Sequence, residues 1–300
     1  MNQTDLHVHS GFSNDGELKI CEIVAKCVIN GIDTLSVTDH NSTKGIEEAV
    51  SLAALCNIDL IPGIEIDCNY NNIDLHLLGY NIDWRSKDFA DLENAVNGKV
   101  MDSFPEMIEN LAKVGIEVNA AEVLDRSNGQ LPCAELIAEV LLSNNSYSNK
   151  KLLPYQSGGN RSEMPYINFY LDYFAQGKPA YVEINHMSYA DAIELVMDNG
   201  GTPIIAHPGV NLKGNEKLIT DLLEHGAQGL EAFNNYHNRK QIDYFAEIAR
   251  QRNILITCGS DFHGKNKPLI EIGNYNFNEQ YLFYLLECIR KLKTYKHDKQ

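Results

Sequence analysis

Along residues 1–85 the apolar positions alternate between two periods. In TDLHVHS (4–10), apolar Leu6 and Val8 interleave with polar neighbours, the period of a short strand. GELKICEIVAKCVINGI (16–32) is helical in period, with Gly31 as a C-terminal stop. DTLSVTDHN (33–41) reads as a second strand and TKGIEEAVSLAALCNI (43–58) as a second helix. DLIPGIEIDC (59–68) and NNIDLHLLGYNI (71–82) read as two further strands. Strand–helix–strand alternation predicts an α/β fold with mostly parallel strands.

The pattern changes over residues 86–180. DLENAVNGKVMDSFPEMIENLAKVGIEV (91–118) and LPCAELIAEVLLSN (131–144) are helical in period, and no strand stands out. The polar, Gly- and Ser-rich stretch 143–163 predicts a loop. The expected organisation is therefore a strand–helix body, residues 1–85 and 181–300, carrying a helical insertion over 86–180. Alternation resumes through TPIIAHPG (202–209), QGLEAFN (228–234) and ILITCGSDFHG (254–264), each preceded by a helix, and EQYLFYLLECIRKLK (279–293) is the last helix.

Composition removes some functions. The 300 residues are 44% hydrophobic, enough for a large core, and carry a net charge of −16. That charge argues against a broad grip on long nucleic acid, which needs clustered Lys and Arg. It leaves room for a small phosphorylated substrate, because bound cations can supply positive charge locally. Seven cysteines with no CxxC pair predict buried free thiols in a reducing cytosol. With no signal-like N-terminus and no apolar run near ~20 residues, a soluble cytoplasmic protein is expected.

The candidate chemistry sits at the strand ends. His7 and His9 lie two apart on the first strand, so both rings share one face, with Asp15 in the next loop. Asp39 and His40 end the second strand, Glu65 lies on the third and His76 on the fourth. Beyond the insertion come His207, then Glu231 and His237, then Asp261 and His263. In parallel α/β folds the strand C-terminal ends converge on one face, where sites form. His, Asp and Glu without Cys suit Mn²⁺, Fe²⁺ or Zn²⁺. Nine such side chains (six His, two Asp, one Glu) are too many for one ion and enough for a two- or three-metal cluster. Taken singly each motif is weak: a His-x-His pair also occurs in cores, and Asp39 could cap a helix. Glu65 in an apolar strand is harder to dismiss, since buried carboxylates are rare without a partner. His186, His225 and His297 fall outside the pattern.

The combination resembles the polymerase and histidinol phosphatase (PHP) superfamily of metal-dependent phosphoesterases. The matching motifs are DLHVHS, TDHN, PGIE, HLLGY, AHPG and SDFHG, in that order, across residues 5–264. The resemblance implies a distorted (βα)₇ barrel with an inserted all-helical cap and a trinuclear metal site held by His7, His9, Asp15, His40, Glu65, His76, His207, Asp261 and His263. It further implies that Glu65 bridges two ions and that a metal-activated hydroxide attacks phosphorus. A helical insertion between HLLGY and GKPAYV (177–182) is similar to the subgroup that removes the 3′-phosphate from 3′,5′-bisphosphonucleotides, some of which trim short RNAs from the 5′ end. Two departures stand out. Where the subgroup carries GRPH this chain has LPCAEL (131–136), and Val210 follows HPG where Arg is usual. Arg161 and Lys213 are the candidate replacements for binding substrate phosphate.

The expected function is thus hydrolysis of a small phosphorylated substrate, a nucleotide such as a 3′,5′-bisphosphonucleotide. The alternatives are a 5′–3′ exonuclease on short oligonucleotides and a non-catalytic metal-binding module. Glu65, Asp39 and His237 are the candidate catalytic residues, His237 as general acid or substrate contact. The insertion is expected to cover the metal face, with Tyr155, Tyr166 and Phe169 able to stack a base or to pack in its own core.

Overall fold

The two-period pattern becomes short buried strands and amphipathic helices in a computed structural model that describes residues 4–143, 149–212 and 214–294. Strand β1 (Thr4–Val8), helix α1 (Ile20–Asn30), strand β2 (Thr34–Val37), helix α2 (Ile46–Leu55) and strand β3 (Asp59–Leu60) follow in order. Gly31 ends α1 as expected: at φ 69° it is left-handed, and its N–H reaches the Cys27 and Val28 carbonyls. The single strand expected at 59–68 is two, β3 and then β4 (Gly63–Tyr70), separated by Ile61 and Pro62 and placed in different sheets.

The mostly parallel pattern is interrupted at the next strand. β5 (Ile73–Tyr80) runs antiparallel to β4, in register from Gly63↔Tyr80 to Tyr70↔Ile73. Only Asn71 and Asn72 connect them, at φ 50° and 61°. Two residues cannot make a parallel crossover, which needs a dozen or more. Two consecutive positive φ values are those of the type I′ hairpin turn, and Asn tolerates both.

After β5 the chain is helical: α3 (Lys87–Lys113), α4 (Ala120–Arg126), α5 (Ala134–Ser143) and α6 (Pro165–Tyr173). Strand β6 (Met187–Ser188), helix α7 (Tyr189–Asp198), strand β7 (Thr202–Ile205), helices α8 (Pro208–Asn211) and α9 (Leu218–Glu224), strand β8 (Gly229–Phe233), helix α10 (Arg239–Arg252), strand β9 (Leu255–Cys258) and helix α11 (Leu282–Thr294) complete the fold. The described strands do not close into one continuous barrel ladder. They make a three-stranded sheet, β1-β2-β3, and a six-stranded sheet, β6-β4-β5-β7-β8-β9. The sheets meet at two isolated bridges, Val8↔Phe262 and His40↔Glu65. The first joins the end of β1 to the segment after β9, and the second joins the segment after β2 to the start of β4.

Buried apolar residues fall into three clusters. Ile64, Leu77, Tyr80, Ile204, Leu230, Phe233, Phe245 and Leu285 belong to the largest, around the six-stranded sheet. Val8, Leu35, Ile23, Ala49 and Phe262 pack under the smaller sheet. Phe104, Leu111, Ile137, Leu141, Tyr155 and Phe169 form a third among α3–α6. Helix α3 serves two of them: Phe89, Leu92 and Val96 join the sheet core, Phe104, Met107 and Leu111 the helical one. Among the described residues no helix is long and apolar enough to cross a membrane.

Candidate metal centre

Strand alternation sends Leu6 and Val8 into the core and His7 and His9 to the other face of β1. His7 is completely buried between carboxylates. Its Nδ1 lies 3.0 Å from Glu231 Oε1. A carboxylate oxygen can only accept, so Nδ1 carries a proton, and Nε2 is the nitrogen that would ligate an ion once deprotonated. That Nε2 sits 3.1 Å from Glu65 Oε2 and 3.3 Å from Asp261 Oδ1. His9 is oriented the same way: Ser13 Oγ donates to Asp15 Oδ1 at 2.8 Å and so accepts from His9 Nδ1 at 3.2 Å. His9 Nε2 then lies 3.0 Å from Glu65 Oε2 and 3.2 Å from Asp261 Oδ1.

Glu65, from the start of β4, is fully buried and central. Its two oxygens face different partners. Oε1 lies 3.0 Å from His76 Nδ1 and 2.9 Å from His207 Nε2. Oε2 faces His7, His9 and, at 3.5 Å, His40. Burial alone would raise its pKa, but the facing His7, His40 and His76 hold the carboxyl well below its ordinary range.

The donor atoms gather into groups, each within 4.8 Å: His7, His9, Glu65 and Asp261; His9, Asp15, His40 and His263; Glu65, His76 and His207. All nine residues of the sequence-derived set belong to them. Ligands about 2.0–2.2 Å from one ion lie roughly 3–3.5 Å apart, which is the spacing seen here. The angles agree with that. His9 Nε2 and His263 Nε2 are buried and make no hydrogen bond, although His263 Nε2 is 3.0 Å from Asp15 Oδ2. These atoms aim at shared points rather than at each other, an arrangement a cation would satisfy. Burial, opposed by Asp15, pushes the His263 imidazole down to about 4, so it is neutral and ready to ligate at pH 7.

Two carboxylates extend the centre. Asp67 lies two residues from Glu65 on the same face of β4, its Oδ1 3.0 Å from His40 Nδ1 and 3.4 Å from His76 Nε2. It was absent from the sequence-derived set, although period two alone places it beside Glu65. Glu231, on strand β8, lies behind the nine. Besides His7 it accepts from the His207 backbone N–H at 2.9 Å and from Asn234 Nδ2 at 3.1 Å.

Other expected residues lie elsewhere. Asp39 spends both carboxylate oxygens on the next loop, accepting from the Ser10 N–H at 2.6 Å and Ser10 Oγ at 2.7 Å. It shapes the turn after β1 and does not enter the cluster. His237 is fully buried, with Nδ1 donating to the Ala232 carbonyl at 3.0 Å and Nε2 accepting from the Gly209 N–H at 3.0 Å. Neither nitrogen is free to move a substrate proton, and burial lowers its pKa. Arg161 is gripped by Asp172, through Nε at 3.0 Å and Nη2 at 2.8 Å, and Tyr155 Oη donates to the same carboxylate at 2.7 Å. Its guanidinium fork is taken inside the helical region. Phe169 and Tyr155 pack edge to face, centroids 5.3 Å apart, in that region's own core, with Tyr166 against it. Lys213 and His297 lie outside the described residues.

The helical region touches the loops that carry ligands. Gln130 Nε2 donates to the Gly11 carbonyl at 2.6 Å, and Glu139 of α5 pairs with Lys265 at 2.6 Å, two residues after His263. Glu135, at the start of α5, is buried, and its carboxyl is pushed up to about 7, first by burial and then by the charge of Asp15. The LPCAEL segment thus lies within electrostatic reach of Asp15.

Comparison with known proteins identifies the family. The PHP domain family matches residues 5–228. The chain is 27% identical over 278 residues to a 3′,5′-nucleoside bisphosphate phosphatase of Chromobacterium violaceum, covering 91% of this chain and 92% of that protein. It is 29% identical to a 5′-3′ exoribonuclease of Haemophilus influenzae, covering 89% and 95%. A solved amidohydrolase structure from Chromobacterium violaceum, with bound sulfate and no metal, superposes with a TM-score of 0.76 at 25% identity over 95% of this chain and 96% of that one. A structure from Bifidobacterium adolescentis agrees in fold, with a TM-score of 0.75 at 21% identity and coverage of 94% and 95%. The chain belongs to the PHP domain family of metal-dependent phosphoesterases.

Proposed function

We propose that this phosphoesterase removes a phosphate from a small nucleotide, a 3′,5′-bisphosphonucleotide being the substrate class. His7, His9, Asp15, His40, Glu65, His76, His207, Asp261 and His263 would hold two or three divalent ions, Mn, Fe or Zn. The observation that carries this reading is Glu65, whose oxygens face two separate groups of imidazoles. Divalent ions bound there would supply Lewis acidity toward a phosphoryl oxygen and lower the pKa of water. The chain's own part is to orient. Glu231 and Ser13 fix the tautomers of His7 and His9, and Asp67 steadies His40 and His76. Residues 86–180 would act as a cap that shapes the opening over a barrel-like body, supported by the Gln130–Gly11 and Glu139–Lys265 contacts.

A second reading, 5′–3′ trimming of short RNA, is favoured by the similarity to exoribonucleases at 29% identity. The two separate on one assay. Protein reconstituted with Mn²⁺ is incubated with a 3′,5′-bisphosphonucleotide and with RNA of two to five residues. Phosphate release from the first with an intact RNA ladder supports the phosphatase. A shortened ladder with slow mononucleotide turnover supports the exonuclease. Release from neither, nor from a wide panel of phosphate esters, would overturn both.

A further inference from the structure

Asp261 offers its two oxygens to different surroundings. Oδ1 looks into the centre, 3.2 Å from His9 Nε2 and 3.3 Å from His7 Nε2. Oδ2 looks away and accepts two short hydrogen bonds, from Tyr236 Oη at 2.6 Å and Lys267 Nζ at 2.6 Å. Neither donor belongs to a family motif quoted above. Tyr236 comes from the loop after β8, and its ring packs edge-on to His207 at 6.1 Å. Lys267 follows the short turn Gly264–Asn266, is 8% exposed, and lies 5.4 Å over the Tyr236 ring. The backbone of Asp261 is itself constrained: it sits at φ 57°, a conformation uncommon outside glycine, with its N–H bonded to the His7 carbonyl at 2.8 Å.

We infer that Tyr236 and Lys267 are positioning residues that clamp Asp261 Oδ2, so that the carboxylate reaches the metal centre through Oδ1 alone. Burying an ammonium is costly unless it is paired, and Asp261 is the only carboxylate with which Lys267 forms an ion pair among the described residues. The two donors occupy the outer oxygen from different loops, so rotating the carboxylate to present both oxygens would break two charge-assisted hydrogen bonds. Bidentate chelation is thereby disfavoured. The coordination position it would have taken is left for substrate. Neither residue need touch substrate for this.

The inference rests on Asp261 being a ligand, and the test separates the two ideas. Asp261→Asn, Tyr236→Phe, Lys267→Met and Lys267→Gln are prepared as full-length protein. Affinity for Mn²⁺ is measured by competition with a chromophoric chelator, and Co²⁺-substituted protein is examined by visible absorption, whose intensity falls as coordination number rises. Expected are an Asp261→Asn protein short of one ion, and Tyr236→Phe and Lys267 variants with affinity lowered about 10- to 100-fold. Their Co²⁺ bands should weaken, and kcat/KM should fall. Tyr236→Phe deletes one oxygen and keeps the fold even if both Lys267 variants do not. Should Asp261→Asn keep its full metal content, the ligand assignment fails. If Asp261→Asn loses an ion while Tyr236→Phe and the Lys267 variants keep wild-type affinity and Co²⁺ spectrum, the clamp is overturned and the ligand assignment stands. A raised KM with unchanged metal binding would make these residues substrate contacts and overturn the clamp.

Discussion

At the scale of single residues, Glu65 bears the most. It serves two groups of imidazoles, so Glu65→Gln should remove more than one ion's worth of ligand field. Elemental analysis of the purified variant should show at least one ion lost, with turnover reduced to near background. Full metal content would deny the bridging role. His237 predicts the opposite pattern. Its two nitrogens tie the Ala232 carbonyl to the Gly209 amide, and its ring packs edge-on to Phe245 at 4.8 Å. His237→Ala leaves two buried backbone groups unpaired and a cavity, which costs about 2–4 kcal/mol. Denaturant melts should register that loss, while metal bound per folded molecule stays unchanged. A stable variant with lowered kcat would restore the general-acid role instead. The contrast shows what was legible. His7, His9 and Glu65 announced themselves because strand periodicity fixes which way they face. His237 and Arg161 lie on connections, where direction follows from partners such as Gly209 and Asp172 that no local pattern reveals.

At the scale of elements, the β4–β5 hairpin decides how the centre is assembled. It carries Glu65 and Asp67 on one strand and His76 on the other, with Asp67 directly opposite His76. Its turn residues, Asn71 and Asn72, are both left-handed. Glycine adopts such angles without strain and β-branched residues do so poorly, so Asn72→Gly should be neutral or stabilising and Asn72→Val destabilising by about 1 kcal/mol or more. Thermal melts of the two variants test this, and equal melting temperatures would count against the turn assignment. The hairpin signal was present in the sequence as two Asn between alternating apolar runs. The strand–helix alternation on either side of it gives the parallel pairings that the pattern predicts, and the hairpin is the local exception. Helix α3 resisted in another way. Its periodicity is continuous from 87 to 113, so nothing in the pattern marks where its buried face passes from the sheet core at Val96 to the helical core at Phe104.

At the scale of the whole molecule, the cluster should couple metal binding to stability through protons. Burial opposes charge on His7 and His40, yet the surrounding carboxylates raise both well above the ordinary imidazole value. A raised folded pKa contributes stability that is complete below the unfolded value of about 6.5 and is lost as pH climbs through the folded value. His186, His237 and His263 are depressed, chiefly by burial, so their contribution fades as pH drops below about 6.5. Glu65, Asp15 and Asp261 are held low against their burial by facing imidazoles and, at Asp261, first by Lys267. Their contribution is present above about 4 and lost only in stronger acid. Metal-free protein should therefore be most stable near pH 6.5 and weaken on the alkaline side, where neutral imidazoles leave the buried carboxylates facing one another. A divalent ion takes the place of those protons and binds only deprotonated rings. Its stabilisation should accordingly grow with pH. Melting temperatures of chelator-treated and Mn²⁺-reconstituted protein, taken from pH 5 to pH 9, should show the metal-free curve falling above pH 7 and the gap between the two widening. A metal-free curve that is flat from pH 6.5 to pH 9, or a gap larger at pH 6 than at pH 8, would mean that the imidazoles of this cluster do not exchange protons for metal.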